Sequence, residues 1–291
     1  MVRRALGALA VAGAATLAWS LVEAHAFTLR RVTVPVLPAG ADPIRVLHLS
    51  DLHLTPGQRD KIAWVRALAS EPIDLVVTTG DNLAHPLAVP PLLGAYEPLM
   101  GRPGVFVFGS NDYFGPRPKN PFAYFGGPSM PHREPQELPA EDLRDGLTAG
   151  GWLDLNNARA SLAVNGVKIR LVGLDDPHIQ RDDMPGGRRA RADVTLGVVH
   201  APYARALQAL TDDGADLILA GHTHGGQVCV PGFGALVTNC DLDTARVKGL
   251  SRWPDARGAW LHVSAGLGTS PFAPVRLACR PEATILTLVA V

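Results

Sequence analysis

From Ile44 onward, short apolar runs alternate with segments of helical periodicity, and each run ends abruptly in polar residues. No other feature narrows the possible folds as much, because strands alternating with helices pack as layered α/β structure with helices covering sheet faces. Residues 44–49 read as a first strand, followed by a helix over 58–69 whose Ile62, Val65, Leu68 and Ala69 share one face. Residues 74–78 give a second strand, 92–99 a short helix, and 105–108 a third strand ending in Gly109. Strands over 160–164 and 167–174 are joined by Asn165-Gly166, a two-residue hairpin signal that makes this pair antiparallel. The rhythm resumes with a strand over 194–199, a helix over 203–210 and a strand over 217–220; residues 260–264 and 283–289 complete the sheets. Residues 27–36 also pattern as a strand, so two packed sheets with helices outside are expected in one domain over 27–291. The Pro-rich stretch 113–139 reads as a long loop whose Tyr113, Phe114, Phe122, Tyr124 and Phe125 could line a cleft or pack the loop down.

Residues 1–26 are a separate unit. Arg3 and Arg4 precede an unbroken apolar stretch from Ala5 to Val22, and at about 1.5 Å per residue this spans about 27 Å, close to hydrocarbon thickness. Ala24-His25-Ala26 fits a small-x-small cleavage site, but a strand already starts at Phe27 and leaves no spacer. The segment therefore reads as a single-pass anchor to the cell membrane rather than a cleaved signal peptide. Arg3 and Arg4 argue for a cytoplasmic N-terminus, against Arg30 and Arg31 at the other flank. Cys229 and Cys240 bracket a Pro-Gly turn and could be bridged in an oxidising compartment, with three free thiols including Cys279 as the alternative. Together these favour a folded domain outside the cytoplasmic membrane.

Charge excludes one class of partner. Lys+Arg and Asp+Glu both number 27, whereas a nucleic-acid binder carries a basic excess or stripe. Arg188, Arg189 and Arg191 form the densest basic patch, but among Gly186, Gly187, Asp182 and Asp183 it reads as a solvated loop. No nucleic-acid partner is expected.

Chemistry-bearing residues stand where strands end: Asp51-Leu52-His53, Gly80-Asp81-Asn82, Gly109-Ser110-Asn111-Asp112, the single His200, and the run from Gly221 to Gln227 containing His222 and His224. A lone D-x-H is a weak signal and equally suits a surface turn. Two imidazoles flanked by glycines at a strand end suit neither a core nor a plain turn, and they point to metal ligation. No G-x-x-x-x-G-K-[ST] loop occurs, which excludes a P-loop NTPase, and H-x-H-x-D-H is also missing.

The ordered set resembles the calcineurin-like metallophosphoesterases, whose motifs run D-x-H, G-D, G-N-H-D/E, a later His and G-H-x-H; the resemblance covers Arg45 to about Glu282. The form Gly221-His222-Thr223-His224-Gly225-Gly226-Gln227, with a tail through Arg276 and Arg280-Pro281-Glu282, is similar to a bacterial membrane-associated branch. That branch includes phosphodiesterases and enzymes hydrolysing UDP-diacylglucosamine. The resemblance implies a four-layer αββα sandwich of two mixed β-sheets flanked by helices, and two divalent metal ions (Mn, Fe or Zn). One ion would be held by Asp51, His53, Asp81 and His224, the other by Asp81, His200, His222 and an amide or hydroxyl of the third cluster. A shared carboxylate offsets the repulsion of two cations about 3.5 to 4 Å apart.

The third cluster departs from the family pattern. Without a gap, Ser110 takes the place of the metal-binding Asn and Asn111 that of the His; a one-residue shift lets Asn111 reach the metal through its side-chain oxygen. Either way the usual imidazole is absent, while Asp112 keeps its position, so Asn111 and Asp112 are the catalytic candidates and Asn111 is also a ligand candidate. His178 and His132 are possible substitute acids. The implied activity is hydrolysis of phosphodiester or pyrophosphate bonds by water acidified between two cations, on a phosphorylated small molecule or lipid-linked envelope substrate. The alternative is a metal-binding protein that recognises a phosphorylated ligand with little turnover.

Overall fold

The computed structural model describes residues 2–118, 135–187, 190–254 and 257–291; Phe122, Tyr124, Phe125, His132, Arg188 and Arg189 lie outside the described residues. Two six-stranded mixed sheets stack face to face. In the first the order is β1 (Thr28–Leu37), β14 (Glu282–Ala290), β2 (Ile44–Leu49), β3 (Leu75–Thr78), β4 (Gly104–Phe106) and β5 (Leu153–Asp154). Only the β14–β2 pair is antiparallel there. The second runs β12 (Gly249–Arg252), β13 (Trp260–Val263), β9 (Leu217–Ala220), β8 (Val194–Val198), β7 (Val167–Gly173) and β6 (Ala158–Val164). Its two outer pairs are antiparallel, and β6–β7 turns at Asn165-Gly166 as the sequence requires.

Strand alternation sorts the side chains into layers. Val46, Leu75, Val77, Val105 and Leu286 point between the sheets and meet Ile169, Leu171, Leu196, Val198 and Leu219. The intervening residues Leu47, Leu49, Val76 and Phe106 point outward against α2 (Arg59–Ala67), α3 (Val89–Tyr96) and α5 (Ala140–Ala149). On the far side, Ala206, Leu207 and Leu210 of α6 (Ala204–Asp212) cover Val172, Ile218 and Leu261. The result is the expected four-layer αββα sandwich.

Several elements did not announce themselves. Helix α5 follows the Pro-rich stretch and buries only Ala140, Leu143 and Leu147, too short a stripe to stand out. Strand β5 has two residues, and β12, Gly-Leu-Ser-Arg, shows no apolar alternation. The suggested Cys229–Cys240 bridge is absent. Alternation in the small hairpin β10 (Cys229–Val230) and β11 (Gly234–Ala235) turns Cys229 inward, where it clusters with Cys279, Val247 and Ala265. Cys240 packs separately against the second-sheet core, and all three thiols are free.

Helix α1 (Val2–Glu23) contains the apolar segment Leu6–Glu23, long enough to cross a membrane and almost wholly exposed. Among the described residues, hydrogen bonds to the rest of the fold come from its last turn. Ser20 O accepts from Arg276 N at 2.9 Å, and the Glu23 carboxylate accepts from Cys279 N at 2.7 Å and Ala278 N at 3.1 Å.

The same alternation places two histidines between the sheets. His48 on β2 and His262 on β13 approach Nδ1 to Nδ1 at 2.9 Å, and His48 Nε2 meets Thr79 Oγ1 at 3.0 Å. Burial, aided by His262, holds His48 well below its ordinary pKa, and burial lowers His262 from 6.5 to about 4. Below about pH 6.5 the unfolded chain takes up protons that the folded chain refuses, so stability falls as pH drops through that value toward 4. With 1.36 kcal/mol per pH unit, His262 alone contributes a loss on the order of 3 kcal/mol. Thermal midpoints measured from pH 7 to pH 4.5 should decline, and His262→Gln should flatten the decline. A midpoint that ignores pH over this window would contradict the assignment.

Candidate metal centre

Parallel strands from both sheets direct their carboxyl ends to one rim, the usual place for chemistry in open α/β sheets. Asp51 and His53 follow β2, Asp81 follows β3, the short α4 (Ser110–Tyr113) follows β4, His200 follows β8, and His222 and His224 follow β9. Leaving a strand and doubling back within two residues forces unusual backbone. Asp51, His53, Asp81, His222 and His224 all have left-handed φ values, 50°, 41°, 53°, 70° and 51°. Non-glycine residues seldom adopt that region, and such strain gathers at functional sites. Close approach explains the flanking glycines: a Cβ on Gly109 would fall on Asp81 Oδ1 and 2.7 Å from the His200 ring.

The side chains converge. Asp51, His53 and His224 can present one ligand atom each within 4.8 Å of one another, and so can Asp51, Asp81 and His200. Asp81 Oδ2 lies 3.5 Å from His53 Nε2 and 3.4 Å from His200 Nε2, between the two sets. Its other oxygen accepts from Asn111 N at 2.6 Å. Asp51 accepts from His222 N at 3.0 Å and from Ser50 Oγ at 2.6 Å, and Ser50 in turn accepts from Thr79.

Imidazole tautomers test whether a cation fits. His200 Nδ1 donates to Thr79 O at 2.7 Å, and His222 Nε2 donates to Asn239 O at 3.0 Å. The remaining nitrogens, His200 Nε2 and His222 Nδ1, therefore face each other at 3.4 Å, and His200 Nε2 also faces the Asp81 carboxylate. His224 Nδ1 faces Gly268 O at 3.2 Å, which aims its Nε2 at His53 Nε2, 3.1 Å away. Burial lowers His53 to about 4 and His224 to about 3, and lowers His222 well below its ordinary value. Neutral His53, His222 and His224, with His200 Nε2 turned into the same space beside two carboxylates, are the donor set of a divalent cation. Burial would raise Asp81, but His200 and His53 hold it well below the usual carboxylate range; its partner His200 is correspondingly raised. Imidazole and carboxylate without thiolate suit Mn, Fe or Zn.

The third cluster takes a different part. Asp112 is fully buried, and its oxygens accept from the backbone N–H groups of Asp81 (2.9 Å), Asn82 (2.8 Å) and Gly109 (3.0 Å). Burial and the nearby Asp81 push it up to about 7. Saturated in this way, it braces two site loops, and its geometry is that of a positioning residue rather than a group meeting substrate. Asn111 is held over Asp81 by its backbone, and its Nδ2 donates to Phe114 O at 3.1 Å. Ser110 is half-buried at the start of α4.

Sequence reasoning missed three groups here. Arg276 is fully buried, and its Nη2 donates to Ala265 O and Gly268 O at 2.7 Å and Gly266 O at 3.1 Å, while Nη1 reaches His224 O at 3.3 Å. Asp176, at the carboxyl end of β7, is fully buried with Oδ2 unpartnered; burial chiefly, opposed by His200 and helped by Asp81, raises it to about 7. Applying the strand-end rule to β7 would have found it. Lys61 donates to Leu52 O at 2.6 Å, fixing the turn between Asp51 and His53. Of the loop histidines, His178 reaches the site: its ring centroid lies 4.7 Å from that of His222, and Nδ1 meets Tyr203 OH at 3.0 Å.

The profile of the calcineurin-like phosphoesterases matches residues 44–226, more than half of the chain. The chain belongs to that family. As a calcineurin-like phosphoesterase it is a hydrolase of phosphoester bonds, from a family that uses divalent metal ions. Relatives share most of its length. The uncharacterized metallophosphoesterase YkuE of Bacillus subtilis is 28% identical over 264 residues, covering 87% of this chain and 82% of its own. Phosphodiesterase YaeI of Escherichia coli is 27% identical over 271 residues, covering 90% and 88%. A transmembrane protein with a metallophosphoesterase domain from Bos taurus is 29% identical over 272 residues, covering 88% and 56%.

Proposed function

We propose that this phosphoesterase hydrolyses phosphodiester or pyrophosphate bonds at a centre of two divalent cations, on lipid-linked or envelope-associated substrates. The observation that carries the reading is the position of Asp81 Oδ2, 3.5 Å from His53 Nε2 and 3.4 Å from His200 Nε2. One carboxylate oxygen there can serve two ligand sets: Asp51, His53 and His224 on one side, and His200, His222 and the Asn111 side chain on the other. Bound cations supply Lewis acidity to a phosphoryl oxygen and acidify water. The chain's own residues prepare that chemistry. Thr79 O, Asn239 O and Gly268 O orient the rings of His200, His222 and His224, so each turns its other nitrogen inward. Asp112 fixes the Asp81 and Gly109 loops. With no histidine in the third motif, protonation of the leaving oxygen passes to another donor, and His178 is the imidazole that stands beside His222.

Helix α1 supports a single-pass membrane protein, and the transmembrane relative from Bos taurus agrees with it. The Gly221–Gln227 motif form and the anchor together favour lipid-linked phosphates and a domain outside the cytoplasm. The test uses the full chain in detergent, stripped of metal and reloaded with Mn²⁺, on an activated aryl phosphodiester. Turnover should appear only on reloading. Absence of turnover with Mn²⁺, Fe²⁺ or Zn²⁺ on a diester, a monoester and a pyrophosphate would instead indicate a phosphate-recognising metal protein.

A further inference from the structure

We infer that the β10–β11 hairpin and the loop carrying Phe272 form a second membrane-contacting lip, seated in the bilayer interface beside α1 and bordering the metal centre. This rests on the reading of α1 as a membrane span and deepens the proposal of lipid-linked substrates.

The hairpin's outer face is apolar. Pairing of Cys229 with Ala235 and of Val230 with Gly234 turns the first pair inward, while Val230 and Leu236 face solvent at 44% and 42% exposure. Phe233, in the Pro-Gly-Phe-Gly turn at the tip, is 76% exposed, and Phe272 on the neighbouring loop is 53% exposed. Together they make an aromatic-tipped apolar edge of a kind that marks an interaction site on a soluble surface.

Its place in the fold identifies the occupant. Residues 276–279 run between the helix and the hairpin. On one side Arg276 N donates to Ser20 O and Cys279 N to Glu23. On the other, Cys229 N donates to Leu277 O at 2.9 Å and Leu277 N to Gln227 O at 3.1 Å. Gln227 Nε2 also donates to Ala273 O at 3.0 Å, which ties the Phe272 loop to the hairpin base. Ser20 lies three residues inside the end of the apolar segment Leu6–Glu23, about 4.5 Å along the helix axis. When α1 spans a bilayer, the segment bonded to Ser20 is therefore held at the edge of the hydrocarbon. The hairpin is the next strand over, about 5 Å to the side. An apolar edge at that depth meets lipid, as amphipathic interfacial elements do.

The lip also borders the chemistry. The hairpin lies between Gln227, which follows His224, and Asn239, whose carbonyl receives His222 Nε2. A lipid-linked phosphate could then reach the centre with its acyl chains still in the membrane.

The test places the photoreactive residue benzoylphenylalanine at positions 233, 272, 9 and 165 of the full chain, in vesicles of phosphatidylethanolamine and phosphatidylglycerol. Leu9 lies on α1, and Asn165 turns the β6–β7 hairpin at the end of the sheet opposite the metal centre. Irradiation should give lipid adducts at 9, 233 and 272 and none at 165. Adducts at 9 without adducts at 233 and 272 would overturn the lip, and so would chain-to-chain adducts at 233, which would indicate self-association. No adduct at 9 would overturn the membrane reading beneath it. Because the readout is covalent capture of lipid, it is independent of turnover, and inactivity on lipid phosphates would leave it intact. Phe233→Ser with Phe272→Ser should lose the lipid contact while keeping wild-type turnover of a water-soluble aryl diester.

Discussion

Asp81→Asn should lower kcat/KM toward an aryl phosphodiester by on the order of 10³ or more, and the purified variant should hold less metal than the wild type. The size follows from what the carboxylate does. Oδ2 is the atom between His53 and His200, and at the proposed two-cation centre its charge would offset the repulsion of cations on either side. Oδ1 has a scaffold duty, accepting from Asn111 N at 2.6 Å. An Asn side chain keeps that acceptor and removes the charge, so the substitution isolates electrostatics from loop geometry. Asp81→Ala removes both and should do no better. Metal content by plasma mass spectrometry, beside the rate, distinguishes loss of an ion from loss of positioning. Wild-type metal content and rate in Asp81→Asn would remove Asp81 from the centre.

Arg276→Met should destabilise the fold by about 1–3 kcal/mol and weaken metal retention at the same time. Each buried carbonyl stripped of its donor costs about 1–3 kcal/mol. Of the carbonyls it reaches, Gly266 O also accepts from Glu282 N, Gly268 O faces His224 Nδ1 and His224 O accepts from Gln227 N, so Ala265 O depends most on the guanidinium. Burial lowers its own pKa. Lysine has a single flexible ammonium and cannot reproduce the planar fork, so Arg276→Lys should recover only part of the loss. Urea unfolding of the metal-free proteins measures the stability term, and metal titration of each variant measures the coupling to His224. An unchanged urea midpoint in Arg276→Met would show that the carbonyls find other donors.

The sheet strands were legible because burial imposes alternation: Ile44 and Val46 face one layer, Leu47 and Leu49 the other, and nothing but a two-sided buried strand reads that way. Helix α5 and strands β5 and β12 lacked a long enough pattern. Among site residues, His222 and His224 stood out because glycines surround them, whereas Asp176 needed the strand-end rule carried to β7, and the buried role of Arg276 is set by the carbonyls that the fold brings to it. The third motif shows the limit most clearly. Letters could not choose between Ser110 and Asn111, because the choice depends on where α4 begins; the backbone of Asn111 sits on Asp81. Cysteine spacing misled for a related reason. The turn between Cys229 and Cys240 made a bridge conceivable, but strand pleat sends Cys229 inward to Cys279.

The left-handed backbone at Asp51, His53, Asp81, His222 and His224 has a consequence for how such a protein can decay. Each such conformation costs on the order of 1–3 kcal/mol unless surrounding interactions offset it, and a bound cation is one of those interactions. A lineage that no longer needed hydrolysis would therefore find glycine or asparagine favoured at these five positions on folding grounds alone.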